Sequence, residues 1–135
     1  MDVLVVEPGY APYEKSINDL KDMQSIVGGT ITAIYPFQDN VAVVCNDDAQ
    51  MLGMEFNRSV PGGYGGVLGP FFVCGTGEED FCSLTPEQMQ KYKKYFHHAE
   101  LLVGVSANTA HTVKVEPKKK RIPGTQNKPP KRPER

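Results

Sequence analysis

Three consecutive acidic residues, Glu78, Glu79 and Asp80, form the densest group of potentially reactive side chains in the sequence. Carboxylates could hold Mg²⁺ or Ca²⁺, or act as a general acid and a general base. Consecutive residues seldom converge on one ion, however, and no calcium-loop spacing follows them. We therefore expect solvated loop acids that serve as a recognition surface. An enzyme that uses this acidic loop is the least favoured hypothesis.

The other side chains suited to catalysis or metal binding are three cysteines and three histidines. They are Cys45, Cys74, Cys82, His97, His98 and His111. Neither C-x-x-C nor H-x-x-x-H spacing occurs, so the sequence predicts no metal site. Cys45 and Cys74 lie in apolar runs and are expected in the core, which leaves Cys82 as the one cysteine expected at the surface. The glycines around position 75 match no nucleotide-binding fingerprint, and no cofactor is expected.

Asn57 and Arg58 precede a glycine-rich segment, and Arg58 is the only arginine before residue 121. A planar guanidinium at the end of a strand could clamp a carboxylate or a phosphate. The alternative is that Arg58 pairs with one of the many acidic residues around it. If the protein has a ligand site, we expect it at this pair.

The elements that must position these residues follow from hydrophobic periodicity and from turn residues. Strands are predicted at residues 2–8, 30–37, 41–46, 50–56 and 71–75, and residues 59–70 are predicted as loop. Helices are predicted from Ser16 to Val27 and from Thr85 to Phe96, where a T-x-x-Q capping box follows Leu84. A last hairpin is possible at residues 100–116. The predicted class is α+β: a mainly antiparallel sheet of about five strands, in the order β-α-β-β-β-β-α, with both helices on one face.

Charge divides the chain into two parts, an acidic body (residues 1–116) and a basic tail (residues 117–135). The body carries 7 basic and 15 acidic side chains, a formal charge of −8, whereas the tail carries 8 basic and 1 acidic, or +7. With five prolines and one large apolar residue, the tail cannot build a core. The sequence therefore predicts one domain of 116 residues and a disordered tail.

The basic tail could attach the protein to a polyanion. The contacts would come from Lys118, Lys119, Lys120, Arg121, Lys131 and Arg132. Because no aromatic residues are interleaved with them, binding to nucleic acid should be weak, blind to sequence and sensitive to salt. The alternatives are that the tail folds back on the acidic body or only aids solubility.

The cysteine count and the hydropathy pattern bear on location. Three cysteines give no paired framework and no signal-peptide pattern opens the chain, so a reducing, cytosolic setting is expected. The longest apolar run is far below the roughly 18 residues that a membrane-spanning helix needs. No membrane association is expected, and the oligomeric state is left open.

Several short motifs occur together and in order: VEPG (6–9), YPF (35–37), VCN (44–46), NR (57–58) and GEEDFCSLTPEQ (77–88). Over residues 2–96 the chain resembles a family of small bacterial, phage and mobile-element proteins, the domain of unknown function 3846. The resemblance implies no activity and no catalytic residues. It implies a setting, that of small accessory proteins that act on their host.

These observations lead to three hypotheses. The first is a non-enzymatic binding module, a phage or mobile-element accessory protein in the bacterial cytosol that binds a host protein or captures a small ligand. The second is a nucleic-acid accessory protein that binds through the basic tail. The third is the enzyme that would use Glu78, Glu79 and Asp80.

Overall fold

The computed structural model describes residues 1–106 and 109–119. Its helices are α1 (Leu20–Val27) and α2 (Pro86–Tyr95). Its strands are β1 (Asp2–Val6), β2 (Tyr13–Ser16), β3 (Ile31–Ile34), β4 (Val41–Asn46), β5 (Phe56–Val60), β6 (Gly65–Leu68), β7 (Phe71–Thr76), β8 (Phe81–Cys82), β9 (Ala99–Ser106) and β10 (Thr109–Val115). The predicted α+β class is confirmed.

The central sheet has the strand order β2-β1-β7-β4-β3, and every neighbouring pair in it is antiparallel. The short strand β8 continues the sheet beside β7. Two hairpins, β5–β6 and β9–β10, are separate two-stranded sheets. The last of these is the hairpin that the sequence suggested at residues 100–116.

The two helices pack on opposite faces of the central sheet, so the prediction that they share one face is wrong. Leu4 and Val6 of β1 belong to the cluster that contains Met89 and Tyr92 of α2. Val3 and Val5 of the same strand belong to a second cluster, which includes Val27 of α1. Because β1, β4 and β7 are apolar on both sides, both faces of the sheet must be covered.

The predicted element order lacks three short strands that precede α2, namely β2, β6 and β8. Residues 13–16 form the edge strand β2, although no strand was predicted there and Ser16 was the predicted start of the first helix, and the glycine-rich segment predicted as loop contains β6. Gly66 explains the second difference, because a Cβ there would lie 2.5 Å from Cε1 of Phe56. The absence of a side chain lets the Phe56 ring lie across the partner strand. The strand predicted at residues 50–56 begins only at Phe56.

Helix α2 begins where the sequence predicts. The backbone N–H of Gln88 donates to Oγ1 of Thr85 over 3.1 Å, and the Gln88 side chain accepts from the N–H of Thr85 over 3.0 Å. Helix α1 begins later than predicted, with Asp19 as N-cap, so Ile17 is buried ahead of the helix. Within residues 1–106 and 109–119, no helix is long and apolar enough to cross a membrane.

A hydrogen bond between Tyr92 and Asp39 fastens α2 to the loop between β3 and β4. The Tyr92 hydroxyl donates to Oδ2 of Asp39 over 2.7 Å. This bond is the main reason that the pKa of Asp39 is held below its ordinary value of 3.8. A carboxyl group with a lowered pKa stabilises the fold above its unfolded-state pKa, and the contribution is lost as the pH falls through the folded-state pKa.

We therefore expect Tyr92→Phe to lower the free energy of unfolding by about 1–2 kcal/mol at neutral pH, since the carboxylate loses a hydrogen-bond donor. The difference from the unaltered protein should stay constant down to about pH 5 and shrink below about pH 4, as Asp39 becomes protonated. Urea unfolding over a pH series measures it, with Tyr95→Phe at the exposed neighbouring tyrosine as the control. A difference that persists unchanged at the lowest pH would contradict this assignment.

Candidate functional site

Asn57 and Arg58, the pair singled out in the sequence, are completely buried. Nε of Arg58 donates to the carbonyl oxygen of Phe96 over 3.1 Å, and Nη2 donates to that of Tyr10 over 2.7 Å. Its Nη1 donates to Oδ1 of Asn57 over 2.9 Å. The Asn57 amide in turn donates to the carbonyl oxygens of Val6 and Gly69. One buried pair thus joins the end of β1, the loop after it, the end of β6 and the end of α2.

The guanidinium of Arg58 is held by oxygen atoms of the protein itself. Burial lowers the pKa of Arg58 to about 10, and the carboxylate of Glu100 partly offsets this effect. The side chain therefore stays charged at neutral pH. The hydrogen bonds of its guanidinium go to backbone carbonyl oxygens and to an amide oxygen. In the part of the chain that the structure describes, they do not go to a carboxylate, which was the alternative considered from the sequence. To clamp a ligand, Arg58 would have to release these bonds; a ligand role for this pair stays a prediction.

Glu100 is a second buried charged residue, and it connects β5 to the base of the β9–β10 hairpin. Its Oε1 accepts hydrogen bonds from the N–H of Ser59 over 3.2 Å, from Oγ of Ser59 over 2.8 Å and from Oγ1 of Thr112 over 3.1 Å. The sequence reasoning did not select Glu100 or Ser59. The available signal was a single acid within the otherwise apolar segment from Ala99 to Val105.

Residues 57–59 therefore set the position of the hairpin from two sides. Arg58 holds the Phe96 carbonyl, three residues before β9 begins, and Ser59 holds Glu100 within β9. Beyond this anchored base, the hairpin extends with Leu101 opposite Val113 and Leu102 opposite Thr112. A β-bulge between His111 and Thr112 leaves Val103 unpaired.

The extended part of the hairpin carries apolar side chains that are exposed. We call these five residues, each between 45% and 67% exposed, the hairpin surface: Leu101, Leu102, Val103, Val105 and Val113. Since neighbouring residues of a strand point to opposite sides, Leu101 and Leu102 place apolar groups on both faces. A concentration of exposed apolar groups is typical of an interaction site.

The acidic residues Glu78, Glu79 and Asp80 are exposed, and they lie in the turn between β7 and β8. The N–H of Gly77 donates to the carbonyl of Asp80 over 2.7 Å, and Oδ1 of Asp80 accepts from the N–H of Phe81 over 2.7 Å. These bonds close a tight hairpin turn. Glu79 and Asp80 line a cleft of about 390 Å³ next to Tyr35. Within residues 1–106 and 109–119, no hydrogen bond or ion pair joins them to Asn57 or Arg58.

The beginning of the predicted tail is paired with the body. The N–H of Lys118 donates to the carbonyl of Gly9, and the N–H of Ala11 donates to the carbonyl of Lys118, each over 2.9 Å. The ammonium group of Lys118 lies 5.7 Å from the centre of the Tyr10 ring. Lys118 and Lys119 are exposed, while the other predicted contacts (Lys120, Arg121, Lys131 and Arg132) lie outside the described residues.

The two buried cysteines offer little nucleophilic chemistry. Cys45 and Cys74 are buried, as predicted, and Cys82 is exposed. Burial raises the pKa of the Cys74 thiol to about 12. Because the thiolate is the reactive form, Cys74 is inert at neutral pH.

Comparison with protein families gives a match for the first 97 residues of the chain. The model of the family described as domain of unknown function 3846 matches residues 1–97. No curated protein and no solved structure matches the chain. The match ends before β9 begins, so the hairpin surface and the tail lie outside it. Since the matched segment is well over half of the chain, the protein belongs to the family of domain of unknown function 3846.

Proposed function

We propose that this protein is a non-enzymatic binding module that recognises a protein partner through the hairpin surface. The observation that carries the proposal is the exposure of five large apolar side chains on a hairpin whose base is anchored by buried polar residues. Exposing such groups to water is unfavourable by roughly 25 cal/mol per Å². A partner that covers them recovers this free energy.

The arrangement of the exposed apolar groups on the hairpin favours a macromolecular partner over a small ligand. Small molecules are bound in concave pockets that bury most of their surface. The hairpin surface belongs to a separate two-stranded sheet with exposed apolar groups on both faces, and is better suited to insertion into a groove. Its strand β10 also offers backbone groups at an edge, which another chain can extend by adding a strand.

The charge of the body indicates what kind of partner fits. The body carries a formal charge of −8, so a partner with a basic surface beside an apolar groove is attracted to it. A host protein of this kind, met in the bacterial cytosol by a phage or mobile-element factor, is the specific form of the proposal.

Affinity capture with the full chain at two salt concentrations tests the proposal. Contacts between apolar groups are not screened by salt, whereas contacts made by the basic tail are. We expect a partner protein in stoichiometric amount that remains bound at about 0.5 M salt. Failure to recover such a protein, or its complete release by salt, would argue against the hairpin surface.

The second candidate function is nucleic-acid association through the tail, which is favoured by the exposure of Lys118 and Lys119 beside the body. Truncation after Lys119 keeps the backbone pairing with Gly9 and Ala11 and removes the remaining basic residues. If the tail binds DNA, the full chain should slow the migration of DNA in a native gel at low salt, and the truncated chain should leave the migration unchanged. We expect the tail-dependent affinity to fall at least about tenfold between 50 mM and 200 mM salt, since several phosphate contacts release counterions. Equal retardation by the truncated chain would rule out the tail.

A further inference from the structure

We propose that His97, His98 and Glu116 form a binding site for a divalent transition metal ion at the base of the hairpin. The potential ligand atoms of these three residues all lie within 4.8 Å of one another. Nε2 of His98 is 3.5 Å from Oε2 of Glu116, and the two imidazole rings are 4.9 Å apart at their centres. This site is separate from the hairpin surface and does not depend on a protein partner.

The fold brings Glu116 next to two histidines that are adjacent in sequence, and the ring nitrogens of these histidines lie close enough to Glu116 to share an ion with it. His97 and His98 connect α2 to β9, and Glu116 follows directly after β10. Because Ala99 pairs with Val115 in the antiparallel hairpin, the residues just outside this pair, His98 and Glu116, face each other. Arg58 fixes the carbonyl of Phe96 and so fixes the start of this connection.

The distances fit a metal ion after small rotations of exposed side chains. Ligand atoms about 2.0–2.2 Å from a tetrahedral ion are about 3.4 Å from one another. The pair formed by His98 and Glu116 already has this spacing. The remaining separations need to shorten by roughly 1.4 Å at most, which rotation about the side-chain bonds of a surface histidine can supply.

The ligand set selects the class of ion. Two neutral imidazoles and one carboxylate suit Zn²⁺ and similar transition metals, whereas Mg²⁺ and Ca²⁺ require a shell of oxygen atoms. Three protein ligands leave one position of a tetrahedral ion open. The adjacent cleft of about 490 Å³, which His97 and His98 line together with Lys93 and Lys94, has room for water or an anionic group at that position.

The electrostatic surroundings contain opposing contributions. Lys93 and Lys94 repel a cation, but Lys93 is paired with Glu14 over 2.9 Å. The site also lies at the carboxyl end of α2, where the helix dipole favours positive charge. Since the three ligands are exposed, we expect affinity in the micromolar range.

The test is calorimetric titration of Zn²⁺ into the full chain, prepared without an affinity tag. We expect binding of one ion per chain. Replacements His98→Ala and Glu116→Gln should each weaken it by roughly tenfold or more, because each removes a ligand. The matched controls are His111→Ala, at the histidine outside the cluster, and Cys82→Ser, at the exposed thiol; both should bind like the unaltered protein. Mg²⁺ should not compete.

A second measurement locates the ion independently of affinity. In NMR spectra, Zn²⁺ should shift the imidazole resonances of His97 and His98 and leave those of His111 unchanged. Absence of binding, equal weakening by His111→Ala and His98→Ala, or unchanged binding after Glu116→Gln would each overturn the proposal.

Discussion

Replacing Arg58 with alanine should lower the free energy of unfolding by about 3–5 kcal/mol, one of the largest effects expected of a single substitution in this chain. The change removes the buried donor from the carbonyl oxygen of Phe96 and also breaks the hydrogen bonds from Arg58 to Oδ1 of Asn57 and to the carbonyl oxygen of Tyr10. Each unsatisfied buried group costs about 1–3 kcal/mol, and the missing side chain leaves a cavity. Urea unfolding followed by circular dichroism measures the loss.

Two further variants separate the hydrogen bonds from charge and volume. Arg58→Lys keeps a positive charge but cannot reproduce the planar arrangement of donors, so it should also be clearly destabilised. Lys93→Ala, which breaks an exposed ion pair with Glu14, should cost less than about 1 kcal/mol. Should Arg58→Ala prove as harmless as Lys93→Ala, the role of Arg58 as a buried connector would be wrong.

The second large effect concerns the hairpin surface. The triple replacement Leu101→Thr, Val103→Thr and Val105→Thr removes apolar groups and places at each position a β-branched residue that favours strands. Interface residues that matter contribute more than about 1 kcal/mol each, so three of them should weaken partner binding roughly 100-fold. The dissociation constant of the captured partner, measured by calorimetry, gives the result.

The matched control uses apolar residues that are equally exposed elsewhere. Met51 and Leu52 lie in the turn between β4 and β5 and are 83% and 60% exposed. Met51→Thr with Leu52→Thr should leave partner binding unchanged. Because the replaced side chains are largely exposed, we expect both variants to stay folded. Circular dichroism and urea unfolding check this expectation. Equal losses of binding in the two variants would show that recognition does not depend on the hairpin surface.

Local signals in the sequence predicted those elements whose ends are determined by a few neighbouring residues. Helix α2 is the clearest case, since Thr85, Pro86 and Gln88 specify its start without help from the rest of the chain. For α1, the sequence predicted a start at Ser16, whereas Asp19 is the N-cap and Ile17 is buried ahead of the helix, a tertiary contact that no local signal reveals. Strand β6 was missed because its glycines indicate a loop until the ring of Phe56 is placed across them.

The sequence indicated some of the residues in the candidate sites, but not the residues that they contact. Arg58 was selected because it is the body's only arginine, yet its partners Tyr10 and Phe96 lie 48 and 38 residues away, and no local pattern connects them. The segment from Leu101 to Val105 is an apolar run of the type that usually forms a buried strand. Only the three-dimensional arrangement shows that it is exposed and that His98 and Glu116 face each other at its base.

Site-specific photo-crosslinking tests the central claim, recognition of a protein partner through the hairpin surface, most directly. A photoreactive amino acid is placed at Val103, at Val105 or, as the control, at Met51, and the full chain is irradiated in the presence of its captured partner. We predict a covalent adduct with the partner from Val103 and Val105 and none from Met51. Adducts from Met51 alone, or an adduct between two copies of this chain, would contradict the proposal that the hairpin binds a different protein.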